Sequence, residues 1–194
     1  MIYLSINIET TGLNERNNQM LEFGAIIEDS NKLLSFEDAP KFRAILPYQE
    51  LTGSPFALNM NKELIEIISK YYSFVDKTKQ SEFARENNII HPENLPLAFF
   101  NFLDDNGLSD LQIPVAGKNF EDFDKKFIDK IFVVYETFYH RRFIDPTTSF
   151  IDFNKDKHSP SLLECKKRAG LSSVVSHTAL GDAWDMIELL RKKY

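Results

Sequence analysis

The sequence has a single cysteine, Cys165, so no disulfide can form within the chain. That usage suits a reducing compartment, and in Ser161-Leu162-Leu163-Glu164-Cys165 a small buried core residue is the expected role rather than a nucleophile. No apolar run approaches the roughly 18 residues needed to span a bilayer. No basic segment followed by an apolar stretch opens the sequence, so no signal peptide is expected. The expected location is cytoplasmic, without membrane contact. Positive charge is also scarce: 23 Lys+Arg against 29 Asp+Glu give a formal net charge of −6. This argues against a general phosphate-gripping surface, but leaves room for a local site that holds an anion through bound cations. Glycine and proline are few, and no repeat, linker or low-complexity segment is visible.

A length of 194 residues predicts one domain, 1–194, with room for a sizeable core. The 17 phenylalanines predict that aromatic packing fills it. Ile2, Leu4, Ile6 and Ile8 share one parity, the mark of a half-buried strand. Met20 to Ile27 reads as a second strand, Asp29-Ser30-Asn31-Lys32 as a hairpin turn, and Phe42 to Leu46 as a third strand ended by Pro47. Hairpin links make this part of the sheet antiparallel. From Pro55 the period becomes helical, with Ala57, Met60, Leu64, Ile67 or Ile68, and Tyr71 in one stripe. Asp76 to Asn88 reads as a loop or short exposed helix. Pro92 to Asp105 reads as a helix turning Leu97, Phe100 and Leu103 or Phe102 inward. Leu111 to Gly117 predicts a short strand. Glu121 to Tyr139 predicts a long helix with Phe127, Ile131, Val134 and Phe138 inward. Arg142 to Pro146 reads as a brief strand or edge segment, Ser161 to Ala169 as a helix stopped by Gly170, and Thr178 to Lys192 as the last helix.

Three segments carry side chains suited to chemistry. On the first strand Asn7 and Glu9 lie two residues apart and face the same way, beside the turn Thr10-Thr11-Gly12. In the second, Gly117-Lys118-Asn119 leads from a strand into a helix. There Asp124 shares a face with Phe127 and Ile128 at offsets of three and four and is expected to look inward. Asp122 is the fallback, better read as a solvated first-turn charge complementing the helix dipole. In the third, Ser176-His177-Thr178-Ala179-Leu180-Gly181-Asp182, five residues rotate an ideal helix by about 140°. His177 is therefore expected in the loop before the helix, with Asp182 inside its second turn and Ser176 or Thr178 as cap.

In order and context these segments resemble the motifs of the DEDDh 3′–5′ exonucleases (DnaQ-like, RNase H-like fold). Asn7-Ile8-Glu9-Thr10-Thr11-Gly12-Leu13 is similar to Asp-x-Glu-Thr-Thr-Gly-Leu. The 117–128 segment is similar to a Gly-His/Lys-Asn turn followed by Phe-Asp and an apolar pair, and the 177–182 segment to His-x-Ala-x-x-Asp. The resemblance runs in order over residues 1 to 192. It implies an α/β fold, an RNase H-like mixed sheet flanked by helices. It implies hydrolysis of phosphodiesters at the 3′ end of single-stranded DNA or RNA, with release of nucleoside 5′-monophosphates. Two Mg²⁺ or Mn²⁺ ions about 3.5–4 Å apart would activate water and stabilise the departing oxygen, and Mg²⁺ prefers carboxylate oxygens. Glu9, Asp124 and Asp182 are the implied ligands, converging while Asp145 stays apart, and His177 is the implied general base.

The departure is Asn7, where the family has a bridging carboxylate. An amide offers one neutral carbonyl oxygen and an NH₂ donor, so strongly reduced activity is expected at this catalytic and metal position. Thr10, Gly12 and Leu13 are expected near a terminal nucleotide. Asn119 is expected beside them, and Phe123 either against a base or in the core. Met60 or Asn61 is expected at the rim, or else in helix-start packing. His91, His140 and His158 are expected to be incidental. The rival readings are a non-catalytic module that binds nucleic-acid ends, and a phosphodiesterase acting on small nucleotides.

Overall fold

The computed structural model describes residues 1–109, 112–133, 137–172 and 176–194. Strands β1 (Ile2–Thr10), β2 (Met20–Asp29) and β3 (Lys41–Ile45) are followed by α1 (Pro55–Met60), α2 (Lys62–Ser73), α3 (Lys77–Glu86) and α4 (Leu95–Asp105). Then come β4 (Ile113–Ala116), α5 (Asp124–Ile131), β5 (Tyr139–Ile144), α6 (Leu162–Arg168) and α7 (Ala179–Arg191). The strands form one sheet in the order β3-β2-β1-β4-β5. β1 pairs antiparallel with β2, and β2 with β3, whereas β1–β4 and β4–β5 are parallel. The architecture is the expected α/β mixed sheet with helices on its faces.

β1 is not half-buried, as its alternation predicts, but central and covered on both sides. Leu4, Ile6 and Ile8 enter the core shared with α4 and α5, while Tyr3 packs with Ala183 and Ile187 of α7. Ser5, on the same face as Tyr3, is fully buried and donates to the Ala183 carbonyl at 2.7 Å. Alternation thus separates the two faces without telling how many are covered. Gly24 permits the close approach of α7, since a Cβ there would lie 2.6 Å from the Ala179 carbonyl carbon.

Several boundaries differ from the sequence expectations. The stripe from Ala57 to Tyr71 belongs to two helices, broken at Asn61, whose buried side chain donates to the Thr10 and Ala57 carbonyls. Met60 therefore leaves the inner face and is exposed. In α4 the buried positions are Leu95, Pro96, Phe99 and Leu103, while Leu97 is exposed, because the helix starts only after a 3₁₀ turn over Pro92–Asn94. The predicted helix from Glu121 to Tyr139 is far shorter. It ends at Ile131, and Tyr139 opens β5, paired with Ile113. Phe138 remains a core residue, but it reaches the core from the strand approach; tertiary pairing overrides helical spacing there. Leu111, Val134 and the loop residues 173–175 lie outside the described residues. The exposed helix between 76 and 88 is α3, capped by Asp76, and Ser161 caps α6. Cys165 is buried, as expected. Among the described residues, no helix is long and apolar enough to cross a membrane.

Candidate active site at the carboxyl ends of β1 and β4

β1 and β4 pair only as far as Ser5 and Ala116, so the later backbone donors of β1 need other partners. Asp124 supplies one. It opens α5, is 2% exposed, and accepts the Ile8 N–H through Oδ1 at 3.1 Å. This contact places the Asp124 carboxyl between the residues that flank it on the strand, Asn7 and Glu9. Asp122 is exposed, as its reading as a solvated charge requires.

Glu9 stands opposite Glu22 in the β1–β2 register, and Asn7 opposite Gly24. Both β1 side chains therefore share the Tyr3–Ser5 face, toward α7. Glu22 is fully buried; its Oε2 accepts the Ala179 N–H at 2.8 Å and its Oε1 meets the Arg43 Nε at 2.5 Å. That bond seats the start of α7 on the sheet. Thr178 caps the helix through the Gly181 N–H, His177 precedes the cap with φ of 52°, and Asp182 falls in the first turn. His177 lies in the entry loop, as expected, but Asp182 falls in the first turn rather than the expected second, because the helix begins only at Ala179 after the Thr178 cap.

Asn7, Asp124, His177 and Asp182 line one cleft of about 310 Å³, together with Lys118 and Phe123. Burial, with the nearby Asp182, Glu22 and Asp124 carboxylates, pushes Glu9 up to about 8, against a lowering hydrogen bond from Asn61. Burial raises Asp124 to about 7 despite the Ile8 hydrogen bond. Burial and Asp185 raise Asp182 to about 6, while the His177 and Lys166 charges lower it. Burial and crowding thus disfavour charge on all three acids, a penalty that a bound cation would relieve.

The donor set fits a hard cation in kind. Every acid offers carboxylate oxygen, and Asp182 Oδ1 is buried without a hydrogen-bond partner. Among the described residues, however, no group of three or more His, Cys, Asp or Glu side chains is spaced to hold an ion.

The other predicted residues divide. Thr10 is buried and its hydroxyl donates to the Gly12 carbonyl; at Gly12 itself a Cβ would lie 2.6 Å from Asn18 Oδ1. These two, with Asn61, build the turn. Leu13 and Met60 are exposed near it. Asn119 adopts φ of 54° and donates its backbone N–H to Asp145 Oδ2 at 3.1 Å. Asp145 otherwise caps Thr147 through its amide and hydroxyl. Phe123 serves two surroundings, packing on Phe127 at 5.4 Å while lining the cleft. His91 shares a hydrogen bond with the Tyr71 hydroxyl at 3.0 Å.

Sequence reasoning missed Lys118, Glu22 and the buried pair Lys166–Asp185, 2.5 Å apart behind Asp182 on α7. Lys118 had a signal, its place in the turn before the motif aspartate. Glu22 and Asp185 had none, because an acid on a strand or helix reads as solvated until the opposing element is known.

No protein-family model matches the sequence, and no curated protein matches it. Solved structures do. The zinc-ion-bound form of an E. coli exonuclease I–single-stranded DNA complex superposes with a TM-score of 0.62 at 15% identity, over 98% of this chain and 39% of that one. A product-bound structure of exonuclease I gives 0.64 at 13%, over 98% and 42%. Cell-death related nuclease 4 (CRN-4) gives 0.66 at 13%, over 98% and 62%. This chain therefore spans less than two thirds of each of these neighbours. At such identities the likeness establishes the fold: the mixed sheet and its helices have the RNase H-like arrangement of these exonucleases.

Proposed function

We propose that this chain is a metal-dependent 3′–5′ exonuclease domain, spanning 1–194, that acts on single-stranded DNA or RNA in the cytoplasm and whose turnover Asn7 strongly reduces. One observation carries the reading: Asn7, Asp124, His177 and Asp182, distant in sequence, meet in a single cleft, with Glu9 electrostatically coupled to Asp124 and Asp182. Support comes from the neighbours of like fold that hold single-stranded oligonucleotides.

Glu9, Asp124 and Asp182 are the residues that would hold Mg²⁺ or Mn²⁺, which when bound activates water and offsets charge on the departing oxygen. Asp124 is held by the Ile8 amide and lines the cleft. His177, exposed beside Asp182, accepts the attacking water's proton at a ring nitrogen and passes it to solvent. Asn7 contributes a neutral amide oxygen where a carboxylate would offset the repulsion between two adjacent dications. The product of each cycle is a nucleoside 5′-monophosphate.

Asn7 also favours a second reading, a module that binds strand ends without cutting them. Single-turnover degradation of 5′-labelled DNA and RNA strands and of a dinucleotide, in Mg²⁺ or Mn²⁺, separates the two. The exonuclease reading expects slow loss from the 3′ end. It also expects Asn7→Asp to raise the rate at least about tenfold and to tighten Mn²⁺ binding by calorimetry. His177→Ala in that background is expected to lower turnover by about 10²–10⁴-fold with Mn²⁺ affinity nearly intact. If Asn7→Asp changes neither rate nor Mn²⁺ affinity, the end-binding module takes its place.

A further inference from the structure

The cleft that gathers the acids also contains a cation. Lys118 lies on the turn between β4 and α5 and lines the same 310 Å³ space as Asn7, Asp124 and Asp182. Its backbone is anchored on both sides: the Gly117 N–H donates to the Ile144 carbonyl at 3.0 Å, and the Asn119 N–H to Asp145 Oδ2 at 3.1 Å. The side chain is half-buried. Its ammonium makes no ion pair or hydrogen bond among the described residues, whereas Lys166 and Lys125 are paired with Asp185 and Asp129 at 2.5 Å. Of the two acids that line this cleft, Asp124 already accepts the Ile8 amide, and neither is paired with the Lys118 ammonium among the described residues.

A half-buried ammonium on an anchored turn, unpaired among the described residues, in a cleft that has an amide in place of one carboxylate is suited to an anion. We infer that Lys118 grips a phosphate of the bound strand, so that the chain holds a nucleic-acid end without a divalent cation. The inference rests on the reading of the cleft as a strand-end site, and names the residue that supplies its phosphate affinity. The fold positions this one charge where the overall balance of −6 provides no general attraction. An ammonium donates to phosphate as a point charge, so it serves DNA and RNA alike, and Phe123, which lines the same cleft, adds an aromatic surface that suits a base of either.

The test is binding in EDTA, where no metal contributes and no strand is cut. Fluorescence anisotropy follows a labelled oligothymidylate, and competition compares thymidine 5′-monophosphate with thymidine. The wild-type chain is expected to bind the oligonucleotide with marked salt dependence and to prefer the monophosphate over the nucleoside. Lys118→Gln is expected to weaken oligonucleotide binding about tenfold or more, to abolish the preference, and to reduce the salt slope by about one phosphate contact. Lys118→Arg is expected to restore most of both. Unchanged thermal unfolding of Lys118→Gln excludes misfolding as the cause. Equal binding by wild type and Lys118→Gln overturns the inference, as does wild-type binding that appears only when Mn²⁺ is added; in both cases the strand-end reading survives. Absence of binding in EDTA and in Mn²⁺ overturns both together.

Discussion

The two faces of the sheet are held by different physics. On the α4–α5 face the bonds are non-directional. Phe99 is fully buried, with its ring centroid 5.0 Å from both Phe23 and Phe138 and 5.3 Å from Phe42. Most of these contacts are edge-to-face, the geometry that aromatic quadrupoles favour. On the α7 face the ties are ionic and directional. Glu22 meets Arg43 at 2.5 Å and the Ala179 amide at 2.8 Å. Glu28 takes a bidentate Arg191 at 2.6 and 2.7 Å, and Asp185 takes Lys166 at 2.5 Å. The site sits where these regimes meet, with Asp124 delivered from the aromatic side and Asp182 from the polar one. Apolar burial keeps α5 on the sheet but tolerates sliding. Hydrogen-bonded ion pairs set the azimuth and register of α7, which an acid aimed at a small cleft requires.

The contrast is broken most severely at Phe99. Phe99→Ala is expected to cost about 3–5 kcal/mol, the range for truncating a fully buried aromatic, read by urea denaturation. Mn²⁺ affinity of the remaining folded protein should hardly change, because no charge near the cleft has moved. Loss of Mn²⁺ affinity in that variant would show that the aromatic face also sets the site.

Next in size is Lys166→Met, which leaves Asp185 buried without its cation and is expected to cost about 3 kcal/mol. Lys166→Met combined with Asp185→Leu should recover most of that loss, since an apolar pair carries no desolvation penalty. If the double variant is as unstable as the single one, the pair is not an isolated ionic tie.

Glu22→Gln keeps the shape and one acceptor for the Ala179 amide but removes the charge facing Arg43. A loss of about 1–2 kcal/mol is expected, together with a larger fall in kcat than in KM, because α7 carries Asp182 and its entry loop carries His177. Equal changes in kcat and stability across Glu22→Gln and a surface control would reduce Glu22 to ordinary packing.

The smallest effect concerns pH. Folded Glu9, Asp124 and Asp182 titrate near 8, 7 and 6 against ordinary values of 4.5, 3.8 and 3.8. Between about pH 4 and pH 8 the folded chain therefore binds more protons than the unfolded chain. The contribution of these groups to stability is complete below the ordinary carboxylate range and is lost as pH rises through their folded values. In EDTA the melting temperature should fall by a few degrees between pH 5.5 and pH 8.5, and Glu9→Gln should flatten that fall. A melting temperature that rises over this interval would mean that the acids are paired rather than crowded.

Much of the site was legible because its residues occupy strand ends and helix starts, where local pattern and position coincide. The parity of Asn7 and Glu9, the inward face of Asp124, and the placement of His177 before the α7 cap all follow from periods of two and 3.6 residues. Helix ends were less legible. Phe127, Ile131 and Phe138 continue a helical spacing that the chain abandons after Ile131, because pairing of Tyr139 with Ile113 outweighs local preference. Asn61 splits a continuous apolar stripe for a similar reason: its amide is bound to Thr10 across the turn.

By itself, then, the sequence determined most strand and helix identities, the order of the motif acids, the neutral amide at position 7 and the acidic overall charge. Each of these depends on residue type and on spacing along the chain. Only the tertiary structure decided that both faces of β1 are covered, that Glu22 and Asp185 are buried partners rather than solvated acids, and that Lys118 shares the cleft of Asn7 and Asp182. Burial and electrostatic pairing are properties of opposing elements, and no period within one segment encodes what will face it.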